Sequence, residues 1–424
     1  MSNREIIVGL DIGTTKIAAL VGEQVDKNKL NILGYGTAPS KDAVVRGIVI
    51  NIDRTVEAIR FAIERAANMA NVDIKSVYVG IAGQHVKCLH HRGQITRNNA
   101  EDEISQEDID RLMSDMHKVA LDPGEEIIHV IPQDYIVDNE RGIKHPIGMA
   151  GVRLEGNFHI ITAQTTATKN ISRCITKANL TEIDTILEPL ASAEAVLFEE
   201  EKEAGVALID IGGGTTDIAI FQDNILRHTA VIPLGGEVIT NDIKIGCNVL
   251  YSQAEKLKIK FGSALANEAK QNVRISIPML KDRPPREISS VNLAKIIQSR
   301  VEEIFDHVIF QIKSSGYEKK LQGGIVLTGG GALLKHLPQL VEYRTGIDVR
   351  LGYPAEYLAK GVIEDINSPV YSTGIGLMLF ALKNAKKEVK EIEKGNQPIR
   401  RSGFSSIASK IKEWLKDGQE DFKN

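Results

Sequence analysis

The sequence predicts an α/β protein. Two related domains close on a nucleotide cleft, an α+β subdomain is inserted in the first, and an amphipathic helix ends the chain. Three observations carry this. The stretch Val8-Gly9-Leu10-Asp11-Ile12-Gly13-Thr14-Thr15-Lys16 recurs in pattern as Ala207-Leu208-Ile209-Asp210-Ile211-Gly212-Gly213-Gly214-Thr215-Thr216-Asp217. Each reads as a buried strand, an acid, a glycine turn bearing hydroxyls and a returning strand, the form of a β-hairpin whose turn cradles phosphate. At 424 residues, with 42% hydrophobic and 25% charged side chains, the chain is globular and long enough for about two domains. Residues 383–401 then turn Lys- and Glu-rich, and the segment after them has a new periodicity.

Strands are expected at Ile6 to Leu10, Ile17 to Val21 and Leu30 to Thr37. A helix over 53–70 has Asp53 as its expected cap and an apolar face through Val56, Ile59 and Ile63. Val77 to Ala82 returns as a strand. Residues 84–162 change character: polar strands, long turns and one helix over 105–119, with Ser105 as cap and Asp108 three residues on. Helices are expected at Thr168 to Lys177 and over 190–203. The second half opens with its own hairpin. Asp242 to Gly246 and Ser252 to Phe261 read as helix, Glu268 to Leu280 as strand, Ser290 to Ser314 as a long helix, and Gly324 to Leu327 as a strand whose Gly329-Gly330-Gly331 turn opens a helix. A last apolar helix runs from near Gly374 to about Leu382. Domain one is therefore 1–83, 163–204 and 370–385, with 84–162 inserted. Domain two is 205–236 and 311–369, with 237–310 as its small subdomain. Residues 386–401 read as a linker.

The net charge of −4 gives no footprint for nucleic acid, so no nucleic-acid partner is expected. Cys88, Cys174 and Cys247 form no C-x-x-C pair and suit a reducing compartment. No apolar run approaches the ~20 residues of a membrane span, and the first residues carry no signal-peptide pattern. His90-His91 has no partners at ligand spacing, and Glu199-Glu200-Glu201 reads as a solvated helix end.

The chemistry sits at the turns. Asp11 and Asp210 occupy equivalent places, and Asp217 lies seven residues beyond the second. Magnesium takes carboxylate and water oxygens while bridging phosphates, so Asp11 and Asp210 are the expected metal residues. Gly13, Gly212, Gly213 and Gly214 expose backbone, Thr14, Thr15, Thr215 and Thr216 offer hydroxyls, and Lys16 offers a charge for the β- or γ-phosphate. Gly329, Gly330 and Gly331 permit close approach of a flat ligand. Glu255 and Lys258 share a helix face; either they hold ribose hydroxyls or they form a surface pair.

These motifs, in this order, resemble the actin-like ATPase superfamily, and within it the FtsA family of bacterial division proteins. The first phosphate motif matches 8–21, the second 207–221 and the adenosine motif 324–335. The linking helices match Glu188-Pro189-Leu190-Ala191 and Tyr371-Ser372-Thr373-Gly374-Ile375-Gly376. The stretches Gly235 to Ile243 and Ala254 to Lys258, and the insertion after Gly83, are similar to the FtsA branch. The resemblance implies an actin-like fold binding ATP and Mg2+, with Glu188 and Asp217 ordering metal-bound water. Glu194 falls near the place of a glutamine that positions the attacking water in actin; as a glutamate it is either a base or a solvent-facing residue. ATPase activity is therefore slow at most. The implied partners are the FtsZ C-terminal tail, docked on about 237–310, other copies of the chain in a filament, and other division proteins at the insert. The implied location is the cytoplasmic face of the cell membrane at the division site.

The tail agrees with that placement. Phe404, Ile407, Ala408, Ile411, Trp414 and Leu415 form one face of a helix over 402–417, with Lys410, Lys412 and Lys416 off it. Such a helix suits an anionic bilayer surface. Each basic residue contributes about 1 kcal/mol there, against an ordering cost of about 1 kcal/mol or more per residue. One tail binds weakly; many on a filament bind by avidity. The competing reading is a pilus- or secretion-assembly ATPase of the same superfamily, a cytoplasmic module that binds a partner's peptide.

Overall fold

The computed structural model describes residues 6–26, 29–97, 102–271, 273–278, 284–359 and 364–393. The tail with Phe404, Ile407, Lys410, Ile411, Trp414 and Leu415 lies outside the described residues.

Both predicted hairpins form. In the first, β1 (Ile6–Ile12) runs antiparallel to β2 (Lys16–Asp26), with Asp11 opposite Ala18, and β3 (Lys29–Pro39) extends the sheet. After a short hairpin of β4 (Val44–Val45) and β5 (Ile48–Val49), helix α1 (Ile52–Ala70) crosses over and β6 (Ser76–Ile81) returns parallel to β1. The cap of α1 is Asn51, not Asp53. Asn51 is the residue in extended geometry, and its side chain accepts from the Arg54 amide at 3.1 Å. Asp53 is already inside the first turn and pairs with Lys177 at 3.1 Å.

The insert comes next as β7 (Val86–Thr96), α2 (Gln106–Met116), β8 (Glu125–Val137), β9 (Glu140–Ile143) and β10 (Arg153–Gln164), giving a sheet of order β7-β10-β8-β9. Ser105 and Asp108 form the expected capping box. The helix stops at Met116, short of 119, and Val119 turns inward onto the insert's own core of Leu112, Leu154, Phe158 and Ile160.

Beyond the insert lie α3 (Thr165–Lys177) and β11 (Thr181–Leu187), which completes the first sheet as β3-β2-β1-β6-β11. The helix expected over 190–203 is two, α4 (Glu188–Val196) and α5 (Glu199–Ala204). Arg350 explains the break. Its guanidinium takes the Val196 carbonyl at 2.8 Å and both oxygens of Glu201 at 2.6 Å, while Glu201 also caps the Phe198 amide at 2.9 Å. Glu201 is thus a buttress rather than part of a solvated end.

The second half repeats the first. Strands β12 (Val206–Ile211), β13 (Thr216–Gln222) and β14 (Ile225–Ile232) precede α6 (Gly236–Cys247) and α7 (Tyr251–Phe261). Helix α6 begins well before Asp242, because its first amides bond the Gly212 and Gly213 carbonyls at 2.9 and 2.8 Å. Among the described residues of the strand expected over 268–280, β15 (Arg274–Ile277) forms and pairs with β16 (Arg286–Ser289). Then come α8 (Ser290–Ser314), β17 (Ile325–Thr328), α9 (Leu337–Thr345) and β18 (Val349–Leu351). The glycine turn after β17 enters a 3-10 turn at Gly330–Leu333, and α9 starts only afterwards. The sheet order β14-β13-β12-β17-β18 mirrors the first sheet, with the same antiparallel hairpins and parallel crossovers.

Helix α10 (Ser372–Glu393) crosses back to the first half and continues past Leu382 into the expected linker. It packs on α4, where a Cβ at Gly376 would lie 1.8 Å from the Ala191 carbonyl, so only glycine permits the crossing. A core of Ala191, Val196, Leu208, Ala219, Ile375 and Met378 joins the halves at this crossing. Separate cores lie under the outer faces of the two sheets.

Candidate functional site: a cleft between paired hairpins

The duplicated fold sets the two hairpin turns face to face. A Cβ at Gly213 would lie 1.8 Å from Thr15 Oγ1, and one at Gly214 would lie 2.5 Å from Thr14 Oγ1. Each turn is closed by its own backbone, Gly13 to the Lys16 carbonyl at 3.1 Å and Gly212 to the Thr215 carbonyl at 2.9 Å. Ser40 supports the first, donating its hydroxyl to the Gly13 carbonyl at 2.7 Å. Between the turns opens a cavity of about 480 Å³, within the range of small-molecule and cofactor sites.

Four carboxyl groups line its floor: Asp11, Glu188, Asp210 and Asp217. Asp210 and Asp217 are direct cross-strand partners on β12 and β13. Burial pushes Asp217 up to about 8, with Asp210 adding repulsion, and pushes Asp11 up to about 6. Glu188 is raised well above the carboxylate range by burial and then by Asp11, Asp217 and Asp210. Asp210 is raised by burial but relieved by two donors that sequence reasoning missed. Ser192 of α4 donates to Oδ2 at 2.6 Å and Thr373 of α10 at 3.4 Å. Both linking helices thus grip one acid of the second hairpin. Thr373 lies inside one stretch whose pattern marks a linking helix and Ser192 directly follows the other, but nothing local shows which hydroxyl turns toward Asp210.

Asp217 Oδ2 accepts from Thr215 at 2.9 Å, whereas Oδ1 is buried with no partner. A buried carboxylate oxygen left bare, among acids that repel one another, fits a hard divalent cation or its water shell. Among the described residues no three His, Cys, Asp or Glu side chains close into a direct ligand set. Carboxylates so arranged suit a cation held by phosphates and water rather than by a protein cage.

Lys16 lines the cavity, its ammonium donating to the Val370 carbonyl at 2.9 Å; burial lowers it to about 8 against the pull of Asp11 and Asp210. Lys258 donates to the Gly236 carbonyl and Thr240, each at 2.8 Å, and pairs with Glu255 at 2.8 Å. Both Glu255 and Lys258 reach the cavity, as do Gly329, Gly330 and Gly331. Gly329 has φ +82°, and a Cβ there would meet Asp210 Oδ1 at 2.3 Å. The end beyond Lys258 is aliphatic, walled by Ile259, Leu333 and Leu334.

Two expected site residues lie elsewhere. Thr216 is fully buried and spends its hydroxyl on the Leu234 carbonyl at 2.8 Å, away from the cavity. Strand alternation decides this, because Thr215 and Asp217 flank it on the cleft side. Glu194 is neither a base in the cleft nor a solvent-facing residue. Two residues past the Ser192 that reaches Asp210, it lies on the opposite side of α4, largely buried and held by Lys202 at 3.3 Å and Lys383 at 3.0 Å.

Comparison with known proteins decides the family. The cell division protein FtsA of Pseudomonas aeruginosa is 40% identical over 411 residues, covering 97% of both chains. The chain belongs to the FtsA family of cell division proteins. FtsA of Escherichia coli K12 is 35% identical over 93% of this chain and 94% of its own, and that of Bacillus subtilis 37% over 92% and 87%. The family profile for cell division protein FtsA matches residues 207–376, and that for the SHS2 domain inserted in FtsA matches 83–162. Among solved structures, the PilM–PilN type IV pilus biogenesis complex aligns at TM-score 0.62 with 14% identity, covering 89% of this chain and 99% of that one. MreB5 of Spiroplasma citri bound to ADP aligns at 0.52 with 15% identity, covering 90% and 98%. At those identities the likeness is one of fold, the actin-like ATPase fold. The pilus-type reading is not favoured, since the sequence relatives at 35–40% identity are division proteins.

Proposed function

We propose that this member of the FtsA family binds Mg-ATP between its hairpins, polymerises in the nucleotide-bound state, and tethers FtsZ filaments to the cytoplasmic membrane through the helix over 402–417. The observation that carries the nucleotide part is the pair of opposed turns above four buried carboxyl groups, with one oxygen of Asp217 unpartnered. Asp11 and Asp210 would hold magnesium through its water shell, and the ion when bound supplies charge neutralisation for the phosphates. The turn backbones and Thr14, Thr15 and Thr215 bind and orient phosphate oxygens. Lys16 adds a cation, and Glu255 with Lys258 bounds the ribose. Glu188 and Asp217 hold protons above the usual carboxylate range, so either can accept a hydrogen bond from an ordered water or donate one to it.

ATP turnover is proposed to lie far below the ~10 s⁻¹ of a typical enzyme. Among the described residues no helix is long and apolar enough to cross a membrane. Membrane attachment therefore rests on the tail, with the small subdomain over 237–310 as the dock for the FtsZ C-terminal tail and the insert as a surface for other division proteins.

Trp414 is the single tryptophan, so its fluorescence reports the tail alone. With vesicles containing anionic lipid, a blue shift strengthened by Mg-ATP is expected. No shift with or without nucleotide would overturn the anchor, and filaments formed equally well without nucleotide would overturn the gating.

A further inference from the structure

The segment that opens α10 holds the lysine of the first hairpin, a contact that neither phosphate nor metal binding requires. Lys16 lies at the first position of β2, and its ammonium sits 4.0 Å from the centroid of the Tyr371 ring while donating to the Val370 carbonyl at 2.9 Å. Tyr371 is itself fixed. Tyr35 of β3 meets it edge to face, with ring centroids 5.7 Å apart and planes at 68°, and the Tyr35 phenol donates to Asp365 at 3.4 Å.

We propose that Tyr371 is a positioning residue for Lys16, and that through this contact the start of α10 responds to phosphates bound between the hairpins. This inference rests on the nucleotide reading of the cleft. Lysine is a long side chain with much rotamer freedom to lose. An ammonium has three donors, and the Val370 carbonyl takes one. The ring face attracts the charge without demanding a directed hydrogen bond, so the remaining donors stay available to the cavity that Lys16 lines. Burial strengthens such a contact, because water no longer competes for the cation.

The same short segment also reaches the other hairpin. Thr373, two residues past Tyr371, donates to Asp210 at 3.4 Å. The entry to α10 is thereby fastened to both hairpins, the 3-10 turn Pro369–Tyr371 to the first through Lys16 and the first turn of the helix to the second through Asp210. Phosphates that draw the ammonium toward the cavity change the pull on Val370 and Tyr371, and α10 leads directly toward the C-terminal segment.

The test is a double-mutant cycle on the full-length chain, with Mg-ATP affinity measured by calorimetry. Tyr371→Leu keeps apolar bulk and removes the ring; a loss of about tenfold is expected. Lys16→Met is expected to lose on the order of 100-fold. In the Lys16→Met background, Tyr371→Leu should add less than about twofold, because the ring acts only through the ammonium. Tyr371→Phe should recover most of what Tyr371→Leu loses. Equal losses from Tyr371→Leu in both backgrounds would overturn the inference while leaving the cleft reading intact. No Mg-ATP binding by the unaltered protein would overturn both. A second measurement uses hydrogen exchange: amides over 366–376 should gain protection on saturation with Mg-ATP in the unaltered protein and not in Lys16→Met. The same gain in both would also overturn it.

Discussion

Replacing Gly214 by alanine tests whether the closed contact between hairpins is what grips the nucleotide. Gly214 has no left-handed φ, so backbone strain adds nothing. The new Cβ would lie 2.5 Å from Oγ1, 2.9 Å from Cγ2 and 3.0 Å from Cβ of Thr14. Ordinary carbon contacts are about 3.5–4.0 Å. Rotating Thr14 about χ1 gives no relief, because both branches and the Cβ itself are too close. It would also disturb the bond that the Gly47 amide donates to Thr14 Oγ1 at 3.4 Å. The turns must move apart by roughly 0.5–1 Å, an overlap of the kind that costs about 1–3 kcal/mol. At about 1.4 kcal/mol per tenfold, Mg-ATP binding should weaken about 5- to 150-fold. Urea unfolding of the nucleotide-free protein serves as the control that each half still folds. Adding Thr14→Ala removes two of the three clashing atoms and should win back part of the loss, despite deleting a hydroxyl. Unchanged affinity in Gly214→Ala, or a Thr14→Ala change that only deepens the loss, would refute the reasoning.

The cleft acids also set a pH dependence. Asp217 rises from 3.8 to about 8 on folding, so between those values the folded chain holds a proton that the unfolded chain releases. Stability from this group is full below pH 4 and is lost as pH rises through 8. Without metal or nucleotide, the urea midpoint should fall between pH 7 and 8 by the equivalent of about 1 kcal/mol. His159, lowered to about 3 by burial, is already neutral there, and Lys16, lowered to about 8, offsets about a third of the fall within this window and more above it. A flat or rising midpoint would count against the buried-acid cluster, and Mg-ATP should flatten the slope. Glu194→Gln leaves the buried Lys202 with only its Glu199 partner, so about 2–3 kcal/mol of stability should go. ATP turnover should not change in that variant; a tenfold drop would put Glu194 back in the chemistry.

Much of the fold was legible because its signals are local. The hairpins are written as apolar runs broken by an acid and glycines, and the insert as a change in periodicity. The Ser105 and Asp108 box is set within four residues. Where the sequence misled, a distant residue had decided. Arg350 splits the helix expected over 190–203, and the Gly212 and Gly213 carbonyls start α6 early. Asn51 takes the cap from Asp53 because the backbone there is extended.

The candidate site divides along the same line. Sequence alone determined that two phosphate-type hairpins exist, which acids stand at their turns, and that a glycine turn comes after a later strand, since each is a matter of residue type at short spacing. Tertiary structure decided the rest. It set Gly214 against Thr14, brought Ser192 and Thr373 from two helices onto Asp210, turned Thr216 inward, and carried Glu194 out to Lys202 and Lys383. Those contacts join residues up to 200 positions apart, Gly214 and Thr14 being the most distant pair. A side chain's partner across such a distance is fixed by how sheets and helices pack, not by its neighbours in sequence.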